Sequence, residues 1–137
     1  MAAPNSVSTI HPTNLATNQA IRLLGVANGV SLANTGDAAV IPIQNATSYS
    51  VYQVVLVNAS ANIATGYLGV FPQPAAAGTA TVSNAVLTNL TGSTVVDQRT
   101  VNNKNIQTGQ NQYVNVGTAV TGTVDVYIYG YDFSVYS

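Results

Sequence analysis

The sequence predicts an all-β protein: one antiparallel β-sandwich, jelly-roll-like, over residues 20–137, preceded by an extended N-terminal arm over residues 1–19. Three observations favour this fold. Residues 121–133 alternate strictly between two kinds of side chain, as a strand with one buried face does. Roughly seven or eight short runs rich in β-branched and aromatic residues are separated by turn signals about every 8 to 12 residues. No fixed internal period occurs, which disfavours propellers and solenoids.

The last predicted strand is the clearest element of the chain. One of its faces is aliphatic and should line the core, and it consists of Val124, Val126 and Ile128. The other face carries Asp125, Tyr127, Tyr129 and Tyr131. These three tyrosines lie in a row on the face that points away from the core. What they contact on that face is the question that bears on function.

The chain before residue 59 predicts the arm and the first strands. Residues 1–19 combine Pro4 and Pro12 with polar side chains and three isolated apolar ones. Residues 21–24 and 30–32 flank Asn28-Gly29, a dipeptide that favours a type I′ hairpin turn. After a turn at 34–37, residues 38–41 form a strand that Pro42 ends or confines to an edge. Residues 49–58 are apolar on both faces, which predicts a central strand covered on both sides.

The remainder of the chain predicts further short strands. Residues 66–71 should pair antiparallel with the central strand, and their glycines indicate a bulge or a close backbone approach. Residues 72–78 form a loop, and residues 79–90 predict a strand followed by a short helical turn. Residues 95–101 and 112–116 are further strands, separated by a polar turn at 102–105, and residues 117–122 lead into the last strand.

Charged residues are very scarce. The 137 residues include 3 basic and 4 acidic side chains, against about a quarter charged in a typical domain. Such a surface offers little colloidal repulsion, which favours a protein that packs against copies of itself, a trimer being favoured, or against partners. Three scattered cations argue against nucleic-acid binding, and no apolar run approaches the ~20 residues of a membrane span. The start of the chain lacks the features of a secretory signal.

No residue pattern points to catalysis, a metal or a cofactor. The chain has no cysteine, and His11, the single histidine, lies in the proline-flanked arm. Three aspartates, Asp37, Asp97 and Asp132, lie in or beside predicted turns, where aspartate usually caps backbone donors. Asp125 lies within a strand, on the same face as the tyrosines, and is a candidate to meet Arg22, Arg99 or Lys104 across the sheet or across a subunit boundary. We therefore expect a protein that is not an enzyme.

Two apolar features are candidates for an interface. The first is the arm, with Val7, Ile10 and Leu15 as anchors on a neighbouring subunit; the alternative is a disordered terminus. The second is the row Tyr127, Tyr129 and Tyr131, because tyrosine combines a ring that buries well with a hydroxyl that finds a polar partner. The alternative is that these rings are half-buried under a loop.

Several segments of the C-terminal half resemble small β-rich virion proteins of tailed bacteriophages, similar to capsid decoration or cement proteins. The likeness covers about residues 51–133 and is carried by Gly69-Val-Phe71, Gly78-Thr-Ala-Thr-Val-Ser-Asn-Ala85, Gln112-Tyr-Val-Asn-Val-Gly-Thr118 and Val120-Thr-Gly-Thr-Val-Asp-Val-Tyr-Ile-Tyr-Gly130. The family often has a longer run of glycines where this chain has residues 72–78. The resemblance implies a non-enzymatic, oligomeric protein on the outer surface of the phage head, with the major capsid protein as its partner.

A second function uses the same tyrosines. A carbohydrate-binding or receptor-binding β-sandwich, acting in adhesion, would stack them on sugar rings. Sugar binding normally requires coplanar aromatic rings beside carboxylates or amides in a groove, whereas a cement protein requires a broad and mostly dry patch.

Overall fold

The computed structural model describes residues 21–133, which contain eight β-strands and no helix. The strands in chain order are β1 (Arg22–Ser31), β2 (Gly36–Pro42), β3 (Tyr49–Val57), β4 (Tyr67–Phe71), β5 (Val82–Val86), β6 (Val96–Arg99), β7 (Asn111–Thr118) and β8 (Thr123–Asp132). The described part of the chain therefore has no helix that could span a membrane.

The strands form two antiparallel four-stranded sheets, neither of which closes into a barrel. Sheet A has the order β1-β8-β3-β6, and sheet B has the order β2-β7-β4-β5. Apolar side chains from both sheets form one buried cluster, which includes Leu24, Leu56, Leu68, Val114 and Ile128. Because one continuous core joins the two sheets, residues 21–133 form an all-β sandwich, as predicted.

The alternation of the last strand is confirmed. Val124, Val126 and Ile128 of β8 are fully buried, and the intervening residues are partly exposed along the whole strand. The prediction of an edge position for residues 38–41 is also confirmed, since β2 lies at one edge of sheet B and ends at Pro42. β8 itself is a central strand between β1 and β3.

The predicted hairpin at Asn28-Gly29 is wrong. β1 runs continuously through both residues and pairs with β8 along its length, with a register shift between Ala27 and Val30. Gly29 has a φ of 64°, so its permissive backbone serves a bulge instead of a turn. The backbone N–H of Gly29 donates to Oδ1 of Asp125 at 2.7 Å, a contact with a residue far along the chain that stabilises the bulge.

Two pairing predictions need correction. β4 does not pair with β3. It belongs to sheet B, between β5 and β7, because the chain passes from sheet A to sheet B after β3. β3 is central as predicted but covered on only one side, since Tyr52 on its other side is 50% exposed. In residues 79–90 the strand is present as β5, and the expected helical turn is a non-helical turn near Leu90.

A closed ring of buried polar side chains occupies one end of the core. Oγ1 of Thr81 donates to Oε1 of Gln112, Nε2 of Gln112 donates to Oε1 of Gln107, and Nε2 of Gln107 donates to Oγ1 of Thr81. Gln112 also donates to the Tyr49 hydroxyl, which donates in turn to the carbonyl of Gly109. Every member thus has partners, as a buried polar group requires. Burial raises the pKa of Tyr49 above its ordinary 10.0, and the hydrogen bond from Gln112 acts in the opposite direction.

Candidate interface on the outer face of sheet A

The candidate site is the outer face of sheet A, which β8 crosses in the middle. Because Val124, Val126 and Ile128 point into the core, Tyr127, Tyr129 and Tyr131 must point outward. The structure therefore brings the three predicted tyrosines together on one surface, and each remains partly exposed. Flat sheets seldom leave such a row of rings uncovered without a partner.

The strands on either side of β8 add apolar and amide side chains to the same face. Tyr129 is paired with Leu23 of β1 and with Gln53 of β3. Residues paired across antiparallel strands point to the same side of a sheet. A second row follows the same rule, with Tyr127 paired with Val26 and Val55. We call this surface the tyrosine face; it comprises Leu23, Val26, Tyr52, Gln53, Val55, Tyr127, Tyr129 and Tyr131.

Ring contacts fix the geometry of the tyrosine face. A register shift between Val51 and Gln53 turns Tyr52 outward, where its ring meets that of Tyr131 edge to face, with centroids 5.9 Å apart. The rings of Tyr127 and Tyr129 are 6.5 Å apart and nearly parallel, at 14°. Each contact restricts the rotamers of the rings involved, so that less side-chain entropy is lost when a partner covers them.

The carboxylate at one end of this surface already accepts two hydrogen bonds from the protein. Asp125 is paired with Val57 on the outer side of sheet A, and it accepts hydrogen bonds from Gly29 N–H and from Nδ2 of Asn58. Among residues 21–133, Asp125 forms no ion pair with Arg22, Arg99 or Lys104 across the sheet, because bulge formation places backbone and amide donors within its reach instead. A contact across a subunit boundary stays a prediction. The residues that define the tyrosine face carry no formal charge.

The other three aspartates also have structural partners. Asp132 lies at the end of β8, is buried, and forms an ion pair of 2.9 Å with Arg22. Asp97 lies within β6, not beside a turn as expected, and forms a buried ion pair of 2.6 Å with Arg99. Asp37 accepts from the N–H of Ala75 and from Nδ2 of Asn115. Residues 21–133 contain no group of three potential metal ligands.

Sequence reasoning found part of this site and missed part. It found the three tyrosines of β8; His11, Val7, Ile10 and Leu15 lie outside the described residues. It missed Leu23, Val26 and Tyr52, whose sequence patterns are not distinctive. Only the register of β1 and β3 against β8 places these residues beside the tyrosines, and a register between distant strands is not readable from one sequence.

Comparisons with protein-family models, with curated proteins and with solved structures find no match to this chain.

Proposed function

We propose that the protein is a non-enzymatic structural component of a phage virion, a decoration or cement protein that binds the outer surface of the head through the tyrosine face. The observation that carries this proposal is the size and composition of that face. It crosses three strands and combines aromatic, aliphatic and amide side chains without a formal charge. The core of a protein–protein interface has this composition, being rich in aromatic residues and poor in charged ones.

The strand order supports the same proposal. Seven of the eight described strands have at least one partner distant in sequence, and each sheet mixes early and late strands, in the orders 1-8-3-6 and 2-7-4-5. We assign this arrangement to the jelly roll, an eight-stranded double sheet that occurs in viral capsid domains as well as in lectins. This fold-level analogy is compatible with a virion role and does not by itself select it over sugar binding.

The tyrosine face suits a protein that reinforces contacts between capsomers. Covering a large apolar side chain contributes roughly 1.5–3 kcal/mol, and the phenol hydroxyls can meanwhile bond to polar groups of the partner. Attachment of this kind depends little on salt, since no ion pair is needed for it. In this proposal the partner is the major capsid protein, the location is the capsid surface, and the decoration protein is a homo-oligomer, with a trimer favoured.

One observation favours the second candidate, a carbohydrate-binding adhesion module. Two ring pairs are nearly parallel, an arrangement that can stack on sugars. Tyr127 and Tyr129 lie on the tyrosine face at 14°, and Tyr131 of that face lies at 17° to Phe133, which follows β8. The aspartate that shares this face, Asp125, already has each of its oxygens bonded to a protein donor, however. The rings also lie on an open sheet and not in a groove, so the first candidate accounts for more of the face.

Localisation in the intact particle tests the proposal. Purified virions of the source phage would be reconstructed by electron microscopy, and residues 21–133 would be fitted into density outside the capsid shell. We expect the sandwich on the outer surface, with the tyrosine face against the major capsid protein. Absence of the chain from virions, or binding in a glycan array without binding to heads, would favour the second candidate.

A further inference from the structure

The two flanks of the sandwich differ in how they are closed. At one flank β1 and β2 are joined by backbone contacts: Gln44 N–H donates to the carbonyl of Leu24 at 2.8 Å. A Cβ atom on Gly25 would lie 2.9 Å from the carbonyl oxygen of Pro42, so the two strands approach as closely as backbone allows. At the other flank, β5 and β6 are the edge strands of their sheets. We call this second flank the open flank.

Backbone closes one end of the open flank, where Asn102 N–H donates to the Thr81 carbonyl at 2.8 Å, and side chains bridge the rest. Both Nη atoms of Arg99 in β6 lie 3.4 Å from the carbonyl of Val86 in β5, at the outer limit of a hydrogen bond. Within residues 21–133, neither β5 nor β6 forms backbone ladder bonds beyond those with its single neighbour in the sheet. The start of β5 is occupied, since Ser83 N–H donates to Oδ1 of Asn102 at 2.8 Å. The free edges are therefore that of β6 and the part of β5 beyond Ser83, and free edges are templates for another extended chain.

Two adjoining hollows lie in the open flank, with volumes of about 590 and 270 Å³. Both include Asn89, Asp97 and Gln98, and hydroxyl or amide side chains supply most of the remaining lining. Asp97 accepts from Nδ2 of Asn89 at 2.9 Å, and its ion pair with Arg99 cancels the charges of both residues. The open flank thus offers a neutral surface rich in hydrogen-bonding groups.

One donor in the open flank has no acceptor. Nε of Arg99 is buried and has no hydrogen-bond partner among the described residues, while the Arg99 side chain is 8% exposed. Native proteins seldom leave such a group unsatisfied. The ion pair with Asp97 anchors Nη1 of the guanidinium, whereas its contacts with Val86 are long. A carbonyl of an incoming chain can therefore supply the acceptor that Nε lacks without breaking the ion pair.

These features select the chemical class of the occupant. The residues that line the two hollows include no aromatic ring, which disfavours a sugar, and their net charge is zero, which disfavours an ionic ligand. Free edges and amide groups fit an extended, uncharged polypeptide that adds a strand. An apolar residue of that polypeptide can contact Val82 or Val96, which also line the hollows.

We propose that the occupant is the N-terminal segment, residues 1–20, of a second copy of this chain. That segment has no charged side chain, and Val7, Ile10 and Leu15 supply isolated apolar residues among polar ones. Twenty residues can reach at most about 70 Å when extended, far enough to cross to a neighbouring subunit. The segment leads into β1, at the edge of sheet A opposite to β6. Binding to its own open flank would therefore take it across the sandwich, whereas binding to a neighbour would not.

Cysteine cross-linking tests this proposal without knowledge of the capsid partner, because the chain has no native cysteine. Full-length Ile10→Cys and Gln98→Cys proteins, distinguished by mass tags, would be mixed and oxidised. Gln98 is exposed in β6 and lines both hollows, so its replacement should not disturb the core. We expect disulfide-linked heterodimers at least tenfold more abundant than with Val40→Cys, a matched exposed position on sheet B.

Two further measurements complete the test: competition by a free peptide, and a comparison of cross-links within one chain with cross-links between chains. A synthetic peptide of residues 1–20 should suppress the heterodimer, and a scrambled peptide should not. Equal cross-linking to positions 98 and 40, or none to either, would overturn the proposal. If the double variant Ile10→Cys/Gln98→Cys instead forms a cross-link within one chain in preference to dimers, the second copy is excluded as occupant. None of these results depends on whether the protein is found in virions.

Discussion

The rings of Tyr52 and Tyr131 meet edge to face across two neighbouring strands, with centroids 5.9 Å apart and planes at 80°. Tyr52 is half exposed and would otherwise sample several rotamers. The contact holds it against a strand whose opposite side is buried in the core. The outer face of sheet A is therefore an ordered surface, and in the proposed interface this order would reduce the entropy lost on binding.

The buried ring of Thr81, Gln107 and Gln112 should contribute strongly to stability. In Gln112→Leu, Oε1 of Gln107 loses its donor and the Thr81 hydroxyl loses its acceptor, though it still accepts from Nε2 of Gln107, and both groups remain buried. At roughly 1–3 kcal/mol for each orphaned group, the free energy of unfolding should fall by about 3 kcal/mol. Urea titration measures this change. Gln98→Leu at an exposed position should change stability by less than about 0.5 kcal/mol, and an equal loss in both variants would contradict the account.

Stability should also fall at high pH through Tyr49. The pKa of this phenol is raised above 10.0 in the folded protein, so the folded state holds its proton at a pH where the unfolded state has lost it. The contribution is constant below pH 10.0 and is lost progressively as pH rises above it. Urea titrations between pH 8 and 11 should show a steeper decline for the native sequence than for Tyr49→Phe. Parallel declines would show that Tyr49 does not contribute.

The loop after β4 stores backbone strain that glycine should relieve. Ala75 and Ala76 have φ values of 60° and 57°, in the left-handed region. For a residue with a Cβ atom, this conformation destabilises the fold by roughly 1–2 kcal/mol. Glycine avoids that strain, but its greater freedom in the unfolded chain costs about 0.5–1 kcal/mol. Ala75→Gly should thus raise the free energy of unfolding by about 0.5–1 kcal/mol, measured by thermal or urea unfolding. Its neighbour Ala77 does not have a positive φ, so Ala77→Gly should lower the free energy of unfolding. A change of the same sign in both variants would show that Ala75 is not strained.

The buried pair Asp97 and Arg99 should be sensitive to loss of one partner. Their side chains are 6% and 8% exposed, so Asp97→Ala leaves an almost buried cation without its counter-charge. Such a loss costs about 3–5 kcal/mol, whereas replacing both partners with apolar residues is often neutral. Urea unfolding of Asp97→Ala and of Asp97→Leu/Arg99→Met should show this contrast. A double variant as unstable as the single one would mean that the pair itself is needed.

Local patterns in the sequence predicted the strands well. The alternation from Val124 to Tyr131 is a property of one segment, and it correctly gave the buried and exposed faces of β8. Asn28-Gly29 misled because its conformational freedom is compatible with a bulge as well as a turn. The choice between them rests on the pairing of β1 with β8 and on Asp125, neither of which is local.

Long-range arrangement was not predictable from the same patterns. No local pattern marks polar residues such as Gln107 and Gln112 as buried, yet they are buried because they satisfy one another. Tyr52 joined the candidate site only through a register shift in β3 that no sequence signal marks. A single sequence therefore gives the elements more reliably than it gives their neighbours, because burial of a side chain depends on what lies opposite it.

The most direct test of the central claim compares two lysine variants for binding to phage heads that lack this protein. Tyr52→Lys places a charge in the tyrosine face, and Val40→Lys places one at a similarly exposed site, 52% against 50%, on sheet B. Occupancy would be measured by co-sedimentation with the heads, after circular dichroism shows that both variants are folded. We predict at least a tenfold loss of affinity for Tyr52→Lys and native affinity for Val40→Lys. Native occupancy by Tyr52→Lys, or loss confined to Val40→Lys, would contradict the assignment of the tyrosine face.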